Sequence, residues 1–284
     1  MSASAGTKQR EVVVGGVRSP VRQSGPSDAG EAVLFLHGNP GSSEDWAELV
    51  EATGELGRAI AFDLPGFGKA DKPRDFEHTT EGYARFVDEA LAQLGVERVH
   101  LVLHDFGGPI GLEWAAAHPD RLASIVLINT GVLIGYRWHV LARIWRTPVV
   151  GEVFQGTATR GAFRLLLRRG NRRPLPRAFI DRMYDDFDRG TRNAVLKLYR
   201  ATSDPDADAR RVSAVLRPHD RPALVVWGKN DPYIGVEIAA RQREAFPRAD
   251  VEILEDSGHF PFADDPERVR SLVVPFLRRQ LSGA

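Results

Sequence analysis

Two kinds of apolar spacing alternate along the chain. Six short aliphatic runs, Ala32–Leu36, Arg58–Asp63, Val99–Leu103, Leu122–Asn129, Ala223–Trp227 and Val251–Leu254, have the texture of strands buried on both faces. Glu11–Val14 and Val17–Arg22, separated by Gly15-Gly16, read as a hairpin. Between the runs the spacing turns helical. Ser43 before Glu44-Asp45-Trp46 predicts an N-cap, and Thr80 predicts another before Glu81–Leu94, whose apolar positions are Tyr83, Phe86, Val87, Ala90, Leu91 and Leu94. Further helices are expected from Pro109 to Ala117 and over Val236–Phe246 and Pro266–Leu281. Strands alternating with helices predict an α/β class fold, a mostly parallel, doubly wound sheet of eight strands. From Gly135 to Arg217 no strand-like run separates the helical patterns. The expected organisation is a core of 1–134 and 218–284 with a helical insertion at 135–217 over the sheet.

The stretch Val99–Gly111, V-H-L-V-L-H-D-F-G-G-P-I-G, is the centre of this pattern. A buried strand passes into a helix with no spacer, and Gly107 and Gly108 supply the small residues such a turn needs. Pro109 suits a first helical turn. The side chain at the tip is pushed out above the sheet beside the positive end of a helix, the arrangement of a G-x-S-x-G nucleophile elbow. Here Asp105 stands at the tip. No serine of the chain lies in G-x-S-x-G, and Ser42-Ser43 belong to a helix start.

A carboxylate in that position can attack an electrophilic sp3 carbon and form an ester, which a base must then help water to hydrolyse. His259, in Asp256-Ser257-Gly258-His259, follows the last strand and is the expected base. Asp231, after the preceding strand, is the expected partner that fixes its tautomer. Taken singly, Asp105 reads equally as a helix cap, Asp231-Pro232 as a turn, and His259 as a loop histidine. Their order, and the place of each just after a strand on the edge where doubly wound sheets bind ligands, favours the catalytic reading. Asn39 and Phe106 are expected to supply backbone N–H groups to an oxyanion hole, and the Asn39 amide a donor to a departing anion; Asn39-Pro40-Gly41 also reads as a plain turn. His100, His104 and His118 are expected to be packing or surface residues, and Asp63 structural.

Charge and composition narrow the partners. The 284 residues carry 38 Lys and Arg against 38 Asp and Glu, which points to neither nucleic acid nor a membrane surface. Tyr136–Arg211 alone holds 17 basic and 8 acidic residues, an excess of +9; its basic stretch Arg160–Arg177 is expected to be a solvated helix face. There is no cysteine, which excludes disulfides and thiol chemistry. Met1–Gln9 has no apolar core of a signal peptide, and no run approaches the ~18 apolar residues of a membrane span. A cytoplasmic location is expected. No phosphate loop, metal cluster or nucleotide fingerprint stands in the sequence, so neither cofactor nor metal is expected. The expected partner is a small apolar organic substrate, and the chain is expected to be a monomer or a dimer.

On His37-Gly38-Asn39-Pro40, on His104-Asp105-Phe106-Gly107-Gly108 and on the Asp231 and His259 segments, the chain from Ala32 onward resembles the aspartate-nucleophile branch of the α/β-hydrolases, the haloalkane dehalogenases and epoxide hydrolases. The resemblance implies an α/β-hydrolase fold in which 135–217 is a cap, entered through Arg146–Glu152, with substrate between cap and sheet. Dehalogenases resemble this chain in carrying Asn after His-Gly, where epoxide hydrolases usually have an aromatic. They usually also have Trp after the nucleophile; Phe106 cannot donate in its place, a loss of about 1.5–3 kcal/mol toward a charged leaving group, unless Trp138 or Trp145 of the insertion compensates. Phe106 also departs from the Arg usual in fluoroacetate dehalogenases. For epoxide opening the resemblance implies cap tyrosines as acids, and Tyr136, Tyr184 and Tyr199 are the candidates. The expected activity is carbon–halogen hydrolysis, with epoxide hydrolysis as the alternative and a non-catalytic ligand-binding protein as the alternative of another class.

Overall fold

Every aliphatic run read above is a strand of one sheet. In the computed structural model, which describes residues 8–169 and 171–282, the strands are β1 (Lys8–Val14), β2 (Val17–Ser24), β3 (Glu31–Leu36), β4 (Arg58–Phe62), β5 (Arg98–His104), β6 (Leu122–Ile128), β7 (Ala223–Gly228) and β8 (Asp250–Leu254). Met1–Thr7 of the opening stretch and the side chains of Lys8, Gln9 and Arg169 lie outside the described residues. The strand order is β1-β2-β4-β3-β5-β6-β7-β8, with β1–β2 and β2–β4 antiparallel and the rest parallel. β5 sits between β3 and β6, and its residues from Val99 to His104 are buried. A strand covered on both faces has no polar alternation to show, which is why these runs read as continuous apolar segments.

The core helices are α1 (Ala47–Gly54), α2 (Thr80–Gln93) and α3 (Gly107–Ala117). Two expected caps move by one residue. Thr79, not Thr80, caps α2, its hydroxyl accepting from Gly82 N–H at 2.9 Å. Ser42, not Ser43, precedes a 3-10 turn over Ser43–Trp46, and Asp45 Oδ2 accepts from its N–H at 3.1 Å. In both cases the extended backbone lies at the earlier residue, and the cap is the last non-helical position. Two strands also end a residue early, because Asp63 and Asn129 turn out of the sheet; Asn129 does so with φ 45°.

Between β6 and β7 the described residues form helices α4 (Val140–Arg146), α5 (Val150–Gly156), α6 (Arg160–Arg169), α7 (Arg177–Asp186), α8 (Arg189–Ala201) and α9 (Pro205–Leu216), with no strand among them. Their apolar faces bury Trp145, Phe163, Leu167, Ile180, Met183, Phe187, Val195 and Tyr199. After β7, the helix expected over Val236–Phe246 is a 3-10 helix at Val236–Glu244, and α10 (Pro261–Asp264) and α11 (Pro266–Leu281) follow β8. No helix among the described residues is long and apolar enough to cross a membrane.

Charge stitches the helices between β6 and β7 to the rest of the chain. Lys69 reaches Asp186 and Lys72 reaches Asp188, each at 2.6 Å, and Arg211 meets Glu113 at 2.7 Å. Within the basic stretch, Arg164 forks onto Asp181 with two 2.7 Å hydrogen bonds, and Arg173 meets Asp265 at 2.6 Å. Most of these pairs are partly exposed, where each contributes under ~1 kcal/mol. Arg182 of α7 is different. It donates to Ser42 Oγ at 3.0 Å and to Asp45 Oδ1 at 2.7 Å, and the Asp45 side chain is sealed from solvent. Burial raises the Asp45 carboxyl above its ordinary value despite the guanidinium beside it. Arg182→Met strands that carboxylate and should cost about 3 kcal/mol. Adding Asp45→Asn should restore part of the loss, and urea unfolding of the four members of the cycle measures it. Equal losses in the single and double variants would remove Asp45 from the account.

Candidate active site

Asp105 stands where β5 gives way to α3, with φ 47°. An aspartate in this left-handed region costs of order 1–3 kcal/mol and persists only where its surroundings over-determine it. They do so here. The Asp105 carbonyl accepts from Gly108 N–H at 2.9 Å and from the Thr130 hydroxyl at 2.6 Å, while its carboxylate accepts from Asn39 N–H at 2.7 Å. Neighbouring backbone closes in so tightly that a Cβ on Gly38 would lie 2.3 Å from that of Asp105, and one on Gly107 would lie 2.4 Å from the Leu36 carbonyl oxygen. Glycine at both positions lets the turn exist.

Two loops from the same edge of the sheet complete the arrangement. Asp231 follows β7, and its Oδ1 accepts from the N–H groups of Tyr233 and Ile234 at 2.7 and 3.0 Å. Its Oδ2 accepts from Asn129 Nδ2 and from His259 Nδ1, both at 2.7 Å. With Nδ1–H committed to Asp231, His259 turns Nε2 toward Asp105 Oδ2, 3.5 Å away. The His259 carbonyl in turn accepts from His104 Nε2–H at 2.8 Å. Burial holds His104 down to about 3, so it stays neutral and serves as a packing donor. Burial also opposes charge on His259, but Asp231 and Asp105 together outweigh it and raise its value well above the ordinary imidazole range. Burial opposes charge on Asp105 as well; its hydrogen bond to His259 and that ring's charge win and hold the carboxyl at about 2. At neutral pH the site is therefore a carboxylate facing an imidazolium, with a second carboxylate behind it.

Asp105, His259 and Asn39 open onto a cavity of about 210 Å³ between the sheet edge and the inserted helices, walled by apolar side chains such as Phe154, Phe163, Leu167 and Phe187. Trp145, Tyr199, His139, Tyr233 and Gln155 also line it. Tyr136 and Trp138 line a smaller pocket that reaches Asp105 from the other side. Tyr184 lines neither. Its place on α7 turns the ring onto Phe163 and beneath Arg160, and its hydroxyl donates to the Ala158 carbonyl at 3.3 Å, so the expectation of Tyr184 at the pocket is corrected. The Phe106 ring packs edge-on against Tyr199, centroids 4.8 Å apart. Burial, reinforced by Asp105, raises the Tyr199 hydroxyl well above its ordinary value and keeps it protonated.

Three buried amide or indole nitrogens along the large cavity have no hydrogen-bond partner among the described residues: Asn39 Nδ2, Trp145 Nε1 and Gln155 Nε2. Gln155 and Asn129 escape sequence reasoning. Asn129 left one trace, a polar residue closing an otherwise aliphatic run, whereas Gln155 lies in a helix of mixed texture with no such mark. His139 and Tyr233 also come to the cavity only through the fold. His100 is buried against Ser124 at 2.7 Å, His118 stacks on Trp114, and Asp63 accepts from Ser43 and Lys69 N–H groups, each at 2.7 Å, all structural roles.

Residues 31–266 match the sequence profile of the alpha/beta hydrolase fold. The chain belongs to the α/β-hydrolase fold family. This α/β hydrolase is 29% identical to the cis-3-alkyl-4-alkyloxetan-2-one decarboxylase of Xanthomonas campestris pv. campestris over 96% of each chain. It is 40% identical to a haloalkane dehalogenase of Agrobacterium fabrum over 101 residues, 36% of this chain and 33% of that one. Among solved structures, the haloalkane dehalogenase DbeA of Bradyrhizobium elkani superposes with a TM-score of 0.85 at 26% identity, covering 98% of this chain and 100% of the other. Enzymes are thus its named relatives, and the hydrolase is itself an enzyme.

The charge pattern gives a pH signature. A raised His259 contributes stability fully below its unfolded value of 6.5, and that contribution fades as pH rises through the higher folded value. A depressed Asp105 contributes above its unfolded 3.8 and loses the contribution as pH falls toward 2. The urea midpoint should therefore decline between pH 6.5 and 10 in the native protein. In His259→Gln that decline should be absent, and at neutral pH the variant should lie about 3 kcal/mol lower, because two carboxylates are left buried without their cation. An unchanged alkaline slope in the variant would refute the assignment.

Proposed function

We propose that the α/β hydrolase opens carbon electrophiles through an ester of Asp105, and that its reaction is haloalkane hydrolysis. Asp105 Oδ2 attacks an sp3 carbon, the carbon–halogen bond breaks, and halide leaves with the bonding pair. Water then attacks the ester carbonyl of Asp105 while His259 Nε2 takes one of its protons; the bond from the acyl carbon to the alkoxy oxygen breaks, His259 returns the proton to that oxygen so that alcohol departs, and the new carboxyl loses its remaining proton to restore the carboxylate. Esterification itself prepares His259 for the second step. It removes the Asp105 charge, one of the two that raise the imidazole, so the ring releases its Nε2 proton to solvent and stands neutral when water must be activated. Asp231 keeps Nδ1 protonated and stabilises the imidazolium that forms. The N–H groups of Asn39 and Phe106 are proposed to receive the developing oxyanion, and helices within 135–217 to act as a cap excluding water from the ester-forming step.

One observation carries the dehalogenase reading. Asn39 Nδ2 and Trp145 Nε1 are buried donors without partners among the described residues, in side chains that line the cavity shared with Asp105, and a buried donor left unpaired is costly unless a ligand accepts from it. A halide does so, and Trp145 replaces the donor that Phe106 cannot supply. Epoxide hydrolysis is the second reading, favoured by the protonated Tyr199 hydroxyl beside Asp105, which can give its proton to the oxygen of an opening ring. The oxetanone named for the full-length relative is a third strained electrophile that the same carboxylate can address.

His259→Gln should form the ester and fail to hydrolyse it. Incubated with bromoalkanes or with epoxides and examined by intact mass and peptide mapping, it should gain an alkyl group on Asp105 with the bromides; a hydroxyalkyl adduct would instead select the epoxide reading, and no adduct from either would reject both. Trp145→Phe, in an otherwise native chain, should lower kcat/KM for bromoalkanes by roughly 10-fold to 150-fold, the loss of one hydrogen bond to a charged leaving group. A loss below twofold would take Trp145 out of the halide site.

A further inference from the structure

The two cavities share only part of their walls, and the shared part is informative. Asp105, His139 and Tyr199 line both. From the carboxylate the larger cavity, about 210 Å³, extends beneath α5 and α6 toward Phe163 and Leu167. The smaller, about 50 Å³, extends the other way between α3 and α9, with Leu112, Val132, Ala209 and Val212 on its walls. The partition between them is fixed. His139 Nδ1 accepts from Ala142 N–H at 3.1 Å as the cap of α4, which holds the ring in place. Tyr199 is held between Phe106, Trp145 and Trp138, with ring centroids 4.8, 4.9 and 5.5 Å away. Both rings are held by these contacts, so the two spaces are distinct and have Asp105 in common.

A carbon brought within reach of Asp105 therefore has open space on two sides. A terminal electrophile extends a chain into one of them and leaves the other unfilled. We propose, resting on the Asp105 ester mechanism above, that the substrates of this hydrolase carry their electrophilic carbon inside the chain: a secondary centre with a bulky apolar arm in the larger cavity and a slim, short arm in the smaller. The far end of the smaller cavity adds a restriction on that arm. Glu113 and Asp208 line it, and both side chains are partly exposed there. Arg211 is bound to Glu113 at 2.7 Å and lies 3.7 Å from Asp208, so its charge is already engaged. An arm ending in a carboxylate meets acid groups and, among the described residues that line this cavity, no Lys or Arg, whereas an uncharged alkyl arm meets an apolar wall. The substrate class is thus an uncharged internal alkyl electrophile.

Filling the smaller cavity tests this. In the His259→Gln background, Val212→Phe and the milder Ala209→Leu should each narrow the slim-arm space. Labelling of Asp105 by 4-bromoheptane and by 1-bromoheptane is followed by intact mass, and each rate is divided by the rate of the same bromide with acetate in solution, which removes the intrinsic advantage of primary carbon. Before filling, the corrected rate should favour 4-bromoheptane at least tenfold. In both filled variants the internal-to-terminal ratio should fall at least tenfold, and any labelling by either bromide shows that the variant retains a folded site. A corrected preference for the terminal bromide, or a ratio that moves less than twofold in both variants, would overturn the two-armed assignment while leaving the ester mechanism standing. If no bromide labels unfilled His259→Gln, the same comparison is made with 3,4-epoxyhexane and 1,2-epoxyhexane. Absence of label from all four reagents would overturn the ester mechanism, and the two-armed assignment with it.

Discussion

The site depends on a backbone conformation that aspartate adopts reluctantly. At Asp105 the chain turns through φ 47° between a buried strand and a helix, and the cost is met by contacts from three separate segments. The loop after β3 supplies Gly38 and the Asn39 N–H, the start of α3 supplies the Gly108 N–H, and the loop after β6 supplies the Thr130 hydroxyl. Of these, only the start of α3 adjoins Asp105 in the chain. The sheet order brings them together, because β3 and β6 are the two neighbours of β5. The strained residue is thus a product of topology, and its side chain is aimed by hydrogen bonds rather than by rotamer preference alone.

Around that residue the electrostatics oppose the usual direction of burial. Two carboxylates and one imidazole are sealed together, and each would be neutral if alone in such surroundings. Asp105 and His259 remain charged because each stabilises the charge of the other, and Asp231 behind them accepts four hydrogen bonds, three of them from groups other than His259. That asymmetry separates the two acids. Asp231 is fully coordinated and has no capacity left for a ligand, while Asp105 has one oxygen held by Asn39 N–H and the other directed at the cavity and His259 Nε2. Two residues of the same type in the same site are made unequal by the count of donors around them.

Much of this was legible in the residues. Continuous aliphatic runs marked the strands because both faces of the sheet are covered, and the abrupt strand-to-helix junction marked Asp105 because only small residues permit it. The order of Asp105, Asp231 and His259, each just past a strand, placed them on one edge before any coordinate was known. Strand order itself was not legible, since an aliphatic run carries no record of its neighbours. Nor were the residues that act by position on a helix or loop. Gln155, His139 and Tyr233 reach the cavity through the packing angle of their segments, and Tyr184 misses it by the same cause. Cap positions slipped by one residue at Ser42 and Thr79 because adjacent hydroxyl residues offer two equivalent starts, and the backbone chooses between them.

His104 ties the loop of His259 to the central strand through a carbonyl, and the other groups that hold Asp105, Asp231 and His259 in place come from Asn39, Asn129, Thr130, Tyr233 and Ile234, all outside the inserted helices. The walls of the larger cavity, by contrast, come mostly from those helices. The charged trio and the shape of the space before it are consequently separable. Changes at Phe154, Phe163 or Phe187 can reshape what enters without moving a single hydrogen bond of the trio, so the cavity can be retailored one wall at a time around a fixed set of charges.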